Sequence, residues 1–150
     1  MSINCKSVSV KDVIKFFEED IDGMGKHDGH PRNEGIPNSI RQFQNWEFCE
    51  LTEDEFMLLV IPDGTLTLIK DKEFSTLDPI AKKIIEERVE ILQFGGNLDH
   101  LIVTELLSGE GPSHASFYIK DGAKRAIALK VYFENNPYRT VKVYIGKKMV

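Results

Sequence analysis

Residues 113–147 read SHASFYIKDGAKRAIALKVYFENNPYRTVKVYIGK, and apolar and polar side chains alternate through most of this stretch. A period of two is typical of β-strands that have one buried and one exposed face. Two turn signals interrupt the pattern, KDG at 120–122 and NNPY at 135–138. We therefore predict a three-stranded antiparallel meander over residues 113–120, 123–133 and 140–147, with Gly122 in the left-handed conformation.

In this meander the odd-numbered residues face the core and the even-numbered residues face water. The exposed face would carry Tyr118, Lys124, Lys130, Tyr132, Lys142 and Tyr144. Tyr rings stack on bases and Lys neutralises phosphate, so one interpretation of this face is a nucleic-acid-binding platform. The alternative is structural, because Tyr and Lys are good cross-strand neighbours and Lys discourages association at a sheet edge.

A hairpin is predicted upstream, where the turn signal Pro62-Asp63-Gly64 separates strands at 55–61 and 65–70. Its register would place Val60 opposite Leu66. The first strand is apolar on both faces, so the hairpin should be central and covered by a helix. That helix begins with Asp78 as N-cap and ends at Gly95-Gly96. Its apolar residues are Ile80, Ala81, Ile84, Ile85, Val89, Ile91 and Leu92.

Helical spacing of apolar residues predicts a first helix over 10–21, capped by Ser9 or Ser7. Residues 22–38 hold several Gly and Pro and predict a long loop, followed by a short helix to about Gln44 with Ile40 and Phe43 inward. Strands are predicted at 46–51 and within 98–107. We therefore expect a single α+β domain over 1–150, with a mainly antiparallel sheet, the C-terminal meander plus the central hairpin, packed against one long helix and an N-terminal helix.

The chain has 150 residues, of which 41% are hydrophobic and 29% charged, and these values are typical of a folded globular protein. Its longest apolar run, 56–61, is far shorter than the roughly 20 residues that cross a bilayer, so we expect no membrane contact. The first residues lack an apolar targeting core, so we expect cytoplasmic localisation. Cys5 and Cys49 do not make a disulfide framework, and their spacing suggests no zinc site. We predict no cofactor and no metal.

The net charge of −5 is unevenly distributed along the chain. Residues 35–112 carry six basic and 15 acidic side chains, whereas residues 113–150 carry eight basic and two acidic ones. The acidic middle includes a cluster beside an aromatic side chain: Trp46, Glu47, Glu50, Glu53 and Asp54. Such a patch would steer a basic partner, and the aromatic residue would anchor it. We therefore expect a small non-enzymatic binding protein that engages a protein partner by charge complementarity, like an inhibitor or immunity protein.

An alternative is a metal-independent nuclease or other phosphodiester hydrolase that uses the Tyr/Lys face. His27 or His30 would converge with His114 as an acid–base pair, and Arg32 would stabilise the transition state. His27, Asp28, His30 and Glu34 could also bind a metal, but a Gly/Pro-rich loop does not fix ligand geometry. No Gly-x-Ser-x-Gly elbow and no complete phosphate loop are present. The sequence therefore favours binding over catalysis.

Overall fold

The structure is a computed structural model that describes residues 2–19, 35–61, 67–68, 79–107, 110–112 and 114–148. The described part contains five strands and five helices. In chain order they are β1 (Ile3–Val8), α1 (Val10–Glu19), α2 (Gly35–Arg41), β2 (Asn45–Leu51), α3 (Glu53–Met57), α4 (Pro79–Gln93), β3 (Leu101–Thr104), β4 (Tyr118–Asp121), α5 (Ala123–Phe133) and β5 (Val141–Lys147).

The strands form one sheet in the order β1-β2-β5-β3-β4. Every neighbouring pair is antiparallel except β3 and β5, which are parallel. The predicted α+β class with a mainly antiparallel sheet is therefore confirmed. Strand β5 is central, and it pairs with β2 along its whole length, from Val141 opposite Leu51 to Lys147 opposite Asn45.

Helices cover both faces of the sheet. Successive side chains of a strand point to opposite faces, so neighbouring residues of one strand pack against different helices. On β3, Leu101 and Val103 belong to the larger core cluster together with residues of α4 and α5. Ile102, which lies between them, belongs to a second cluster with residues of α1 and α2. The sheet is thus the middle layer of three. We call its two sides the α4/α5 face and the α1/α2 face.

The predicted three-stranded meander is wrong in its middle element. Residues 123–133 form helix α5, and β5 pairs with β2 and β3 instead of with this segment. Gly122 does have the predicted left-handed conformation, with φ of 103°, but it precedes a helix and not a strand. The alternation was misleading because residues 125–128 are all buried, so the helix shows no simple apolar stripe in the sequence.

The predicted central hairpin is also wrong in its first strand. Residues 53–57 form the short helix α3, which begins with a capping box between Thr52 and Glu55. An isolated antiparallel bridge pairs Val60 with Thr67, one residue away from the predicted partner Leu66. The predicted turn at 62–64 and most of the predicted second strand at 65–70 lie outside the described residues.

Helices α1 and α4 lie where helices were predicted, whereas the short helix predicted to reach about Gln44 ends at Arg41. Ser9 caps α1, since its Oγ accepts a hydrogen bond from the Asp12 amide at 3.1 Å. Helix α2 begins at Gly35, so the end of the predicted 22–38 loop is helical, while residues 20–34 lie outside the described part. Helix α4 begins at Pro79 and ends before Gly95-Gly96 as predicted; Asp78 is not among the described residues.

Strand β1 and its disulfide were not predicted. β1 lies at one edge of the sheet, pairs with β2, and has five exposed residues out of six. Its register shifts between Ile3 and Lys6, and Asn4 within this bulge has a φ of 51°. Cys5 and Cys49 form a disulfide that links the two strands. The edge strand is therefore attached covalently to the body of the sheet.

Candidate functional site

The structure divides the acidic cluster predicted around residues 46–54. Glu47 forms an ion pair with Lys147, whose Nζ lies 2.6 Å from Oε1. Glu50 accepts a hydrogen bond from Asn4 Nδ2 at 3.1 Å. Glu53 and Asp54 lie in the first turn of α3 and are exposed. These two carboxylates are the part of the cluster that is most accessible to a partner.

Trp46 does not anchor a surface, because only 2% of it is exposed. Its Nε1 donates a hydrogen bond to the Phe43 carbonyl at 2.7 Å, and its ring packs in the core of the α1/α2 face. Gly146 lies directly against this ring, so that a Cβ there would approach two ring atoms at 2.8 Å. The predicted interface role of Trp46 is therefore corrected to a structural one.

The predicted Tyr/Lys platform does not exist as one face. Lys124, Lys130 and Tyr132 lie on helix α5, on the α4/α5 face, whereas Tyr144 packs against the α1/α2 core and Lys142 points to that same side. Tyr118 lies on β4, the strand at the other edge of the sheet. The sheet therefore separates Tyr132 from Tyr144, and the residues cannot act together on one nucleic-acid strand.

The proposed catalytic histidines are only partly described. His27, His30 and Arg32 lie outside the described residues, and His114 is exposed. Among the described residues, ligand atoms of Cys5, Glu47 and Cys49 lie within 4.8 Å of one another. The two sulfur atoms form the disulfide, and a metal ligand must be a thiolate, so these three side chains do not constitute a metal site in this state.

Sequence reasoning missed an exposed apolar stripe on α4. Ile80 and Ile91 were predicted to line the core, and no prediction was made for Phe94, which follows the helix. These residues are 62%, 41% and 83% exposed, respectively. Ile80 and Ile91 are eleven residues apart, about three helical turns, so they share one side of the helix. The buried side of α4 is formed by other residues: Ala81, Ile84, Ile85, Arg88 and Leu92.

The backbone at Phe94 is fixed by the hydrogen-bonded turn that ends α4. Gly95 has a φ of 86°, its amide donates to the Leu92 carbonyl at 3.1 Å, and the Gly96 amide donates to the Ile91 carbonyl at 2.9 Å. This pattern is a Schellman motif, with Phe94 as the C-cap residue. The backbone that carries the exposed ring is therefore ordered before any partner binds.

Three exposed glutamates and the exposed Lys83 lie on the same helix as these apolar residues. Glu86, Glu87 and Glu90 are exposed on α4, and the last turn of the helix contains no basic residue. Negative charge in the last turn of a helix is unfavourable because of the helix dipole, by up to about 1 kcal/mol, and Glu90 lies in that turn. Helix stability therefore does not explain the position of Glu90. We call the set Ile80, Glu86, Glu87, Glu90, Ile91 and Phe94 the α4 surface.

A second feature is an aromatic cluster on the α1/α2 face. The His100 ring stacks on Phe16, with ring centroids 5.7 Å apart, and meets the edge of Phe48 at 4.9 Å. Tyr144 lies 5.0 Å from Phe16 and 4.9 Å from Phe48. Burial lowers the pKa of His100; Asp99 opposes this shift, and Lys142 and Arg125 each lower the pKa by a smaller amount.

The lowered pKa of His100 predicts a loss of stability in acid. The unfolded chain binds a proton at His100 near pH 6.5, whereas the folded chain resists it, so the free energy of unfolding falls as the pH drops below about 6.5. His100→Phe keeps the ring contacts and removes the proton. Denaturant unfolding at pH 7.5 and pH 5 should show a smaller loss in this variant than in the unmodified chain. An equal loss would mean that other groups cause it.

Comparison with known protein families, with curated proteins and with solved structures finds no significant match to this chain. Within the described residues, no helix is both long and apolar enough to cross a membrane.

Proposed function

We propose that this chain is a non-enzymatic binding protein that engages a basic protein partner by charge complementarity, in the manner of inhibitor and immunity proteins. The α4 surface would be the contact region. The observation that carries this proposal is the 83% exposure of Phe94 beside three exposed glutamates. An aromatic side chain within a charged rim is the usual composition of an interface hot spot.

Two physical properties support this surface over other exposed regions. The Schellman motif fixes the backbone at Phe94, so binding would order few additional groups and lose little entropy. The carboxylates at 86, 87 and 90 would attract a positively charged partner over a distance of about 8 Å at physiological salt. Glu53 and Asp54 would extend the negative potential of the chain without providing an apolar contact.

Cytoplasmic localisation remains part of this proposal, and the disulfide makes it testable. Disulfides persist mainly in oxidising compartments and are reduced in the cytosol. Trapping the thiols of Cys5 and Cys49 with an alkylating reagent in intact source cells would report their state. Reduced thiols would agree with a cytoplasmic protein, and a disulfide would indicate an oxidising compartment.

The partner can be identified by replacing Phe94 with photoreactive benzoylphenylalanine and irradiating the protein in an extract of its source cells. Leu107 is also apolar and 41% exposed, and it provides the matched control position. We expect position 94, and not position 107, to crosslink to a basic protein. A crosslink to an acidic protein, or to a second copy of this chain, would contradict the proposal.

The affinity of the purified partner then tests the role of charge. Replacing Glu87 and Glu90 together by Lys should weaken binding by about tenfold or more, because attraction becomes repulsion. Binding of the unmodified chain should also weaken as salt is raised. The matched control is Glu18→Lys with Glu19→Lys, an exposed acidic pair on α1. Equal loss in both variants would show that only net charge matters and that the α4 surface is not the contact region.

A further inference from the structure

The Cys5–Cys49 disulfide lies beside a carboxylate at the β1 edge of the sheet. Cys5 Sγ, Cys49 Sγ and an oxygen of Glu47 lie within 4.8 Å of one another. Glu47 and Cys49 are two residues apart on β2, so their side chains point to the same face, and the disulfide holds Cys5 of the neighbouring strand against them. Strand β2 therefore carries two of the three groups, and the edge strand carries the third.

The disulfide is open to chemical reduction at one of its two sulfur atoms. Cys5 is exposed, whereas only 1% of Cys49 is exposed. The thiolate of a small thiol such as glutathione would attack Cys5 Sγ, and Cys49 would leave as a thiolate. A second thiol molecule then resolves the mixed disulfide. The chain gains two electrons and two protons and ends with two thiols, and the two reductant molecules become one disulfide.

The two reduced thiols remain close enough to bind one metal ion. The Cα atoms of Cys5 and Cys49 are 4.2 Å apart. A tetrahedral zinc site has Zn–S distances of about 2.3 Å, which places two sulfur ligands about 3.8 Å apart. Rotation of the exposed Cys5 side chain about its Cα–Cβ bond opens the sulfur atoms to this separation, so the strands need not move.

The charge around these three side chains suits a divalent cation. Two thiolates and one carboxylate carry three negative charges, of which a divalent ion neutralises two. The Lys147 ammonium, 2.6 Å from Glu47 Oε1, balances the remaining charge. A carboxylate has two oxygens, so Glu47 can accept from Lys147 and bind an ion at the same time. Thiolate ligands favour zinc over magnesium and calcium, which prefer oxygen ligands.

We propose that the reduced chain binds one Zn²⁺ through Cys5, Glu47 and Cys49, with water as the fourth ligand. Binding converts the two thiols to thiolates and releases their protons, and zinc keeps its oxidation state. The zinc complex would replace the disulfide as the link between β1 and β2 in a reducing compartment. The sequence did not indicate this site, because strand register, and not the separation of 44 residues, brings the thiols together.

Zinc titration of the full chain against a chromophoric chelator tests the proposal. The chain is reduced with a phosphine, which is removed before the titration. It should bind one equivalent of Zn²⁺ at least about a hundredfold more tightly than the oxidised chain, because a disulfide offers no thiolate. Co²⁺ in place of zinc should show thiolate-to-cobalt charge-transfer absorption. Equal affinity of the reduced and oxidised chains, or a cobalt complex without this absorption, would overturn the proposal.

Glu47→Gln should weaken zinc binding by the reduced chain about tenfold or more, since a neutral amide is a poorer ligand than a carboxylate. The matched control is Glu50→Gln, on the same strand but with its side chain on the other face, and it should bind zinc as the unmodified chain does. Equal affinity of these two variants would remove Glu47 from the site and contradict the proposal. None of these outcomes affects the α4 surface.

Cys5→Ser should lose about a hundredfold in zinc affinity relative to the reduced chain, because one of two thiolates is gone. Its thermal unfolding should match that of the reduced, zinc-free chain, which would show that the variant folds. Zinc should raise the unfolding temperature of the reduced chain and leave that of Cys5→Ser unchanged. An equal rise in both would mean that zinc binds elsewhere, and the proposal would then be wrong.

Discussion

Reducing the Cys5–Cys49 disulfide is expected to lower the free energy of unfolding by about 3 to 4 kcal/mol. The bond joins residues 44 positions apart, and chain-entropy estimates for a loop of this size give about 4 kcal/mol at 25 °C. The side chains of β1 are nearly all exposed, so apolar burial contributes little to holding this strand. Without the bond, β1 is attached mainly by its backbone hydrogen bonds to β2.

Chemical denaturation with and without a reductant measures this effect. The variant Cys5→Ser with Cys49→Ser should resemble the reduced chain and should not respond to reductant. Amide hydrogen exchange should accelerate first in residues 3–8, since local opening of an edge strand requires the least free energy. Identical unfolding curves with and without reductant would contradict the prediction.

Replacing Gly122 by Ala is expected to destabilise the chain by about 3 kcal/mol. A residue with a side chain is strained at a φ of 103°, at a cost of about 1 to 2 kcal/mol. The new Cβ would also lie 2.6 Å from Cδ2 of the buried Leu101 and 2.9 Å from Nη2 of Arg125. Crowding in a packed core adds about 1 to 3 kcal/mol. The two effects act at the point where β4 ends and α5 begins.

Gly95→Ala separates strain from crowding. Gly95 also has a positive φ, of 86°, but no atom lies within 4 Å of the position that a Cβ would take there. This variant should therefore lose only about 1 kcal/mol, as strain alone would cause. Denaturant midpoints of the two variants, measured under identical conditions, make the comparison. An equal loss in both would show that contact with Leu101 and Arg125 does not matter.

The sequence was sufficient to predict elements in which the spacing of apolar residues and the residues at the ends indicate the same structure. Helix α1 has both a cap at Ser9 and apolar residues at helical spacing, and β2 is a half-buried strand, so local signals sufficed. Helix α5 was predicted as a strand because AIALKVYF alternates in polarity, although its alanines, leucine and lysines favour a helix. Burial of 125–128 by the sheet and by α4 was decisive, and that is a property of tertiary structure.

The candidate sites were harder to predict than the fold. β1 has no apolar alternation to detect, since pairing and the disulfide hold it in place, and the pairing of Cys5 with Cys49 depends on strand register. The exposure of Phe94 was detectable in part, because its position lies off the buried stripe of α4.

The central position of β5 determines the order in which the sheet is completed during translation. β5 is synthesised after the other four strands, yet it separates β2 from β3 and pairs with both. Until residues 141–147 leave the ribosome, the five described strands can form only the pairs β1-β2 and β3-β4, and β2 and β3 each lack the neighbour that β5 provides. The sheet therefore closes after the ribosome has made β5, and a chain stopped before Val141 would expose two edges prone to aggregation.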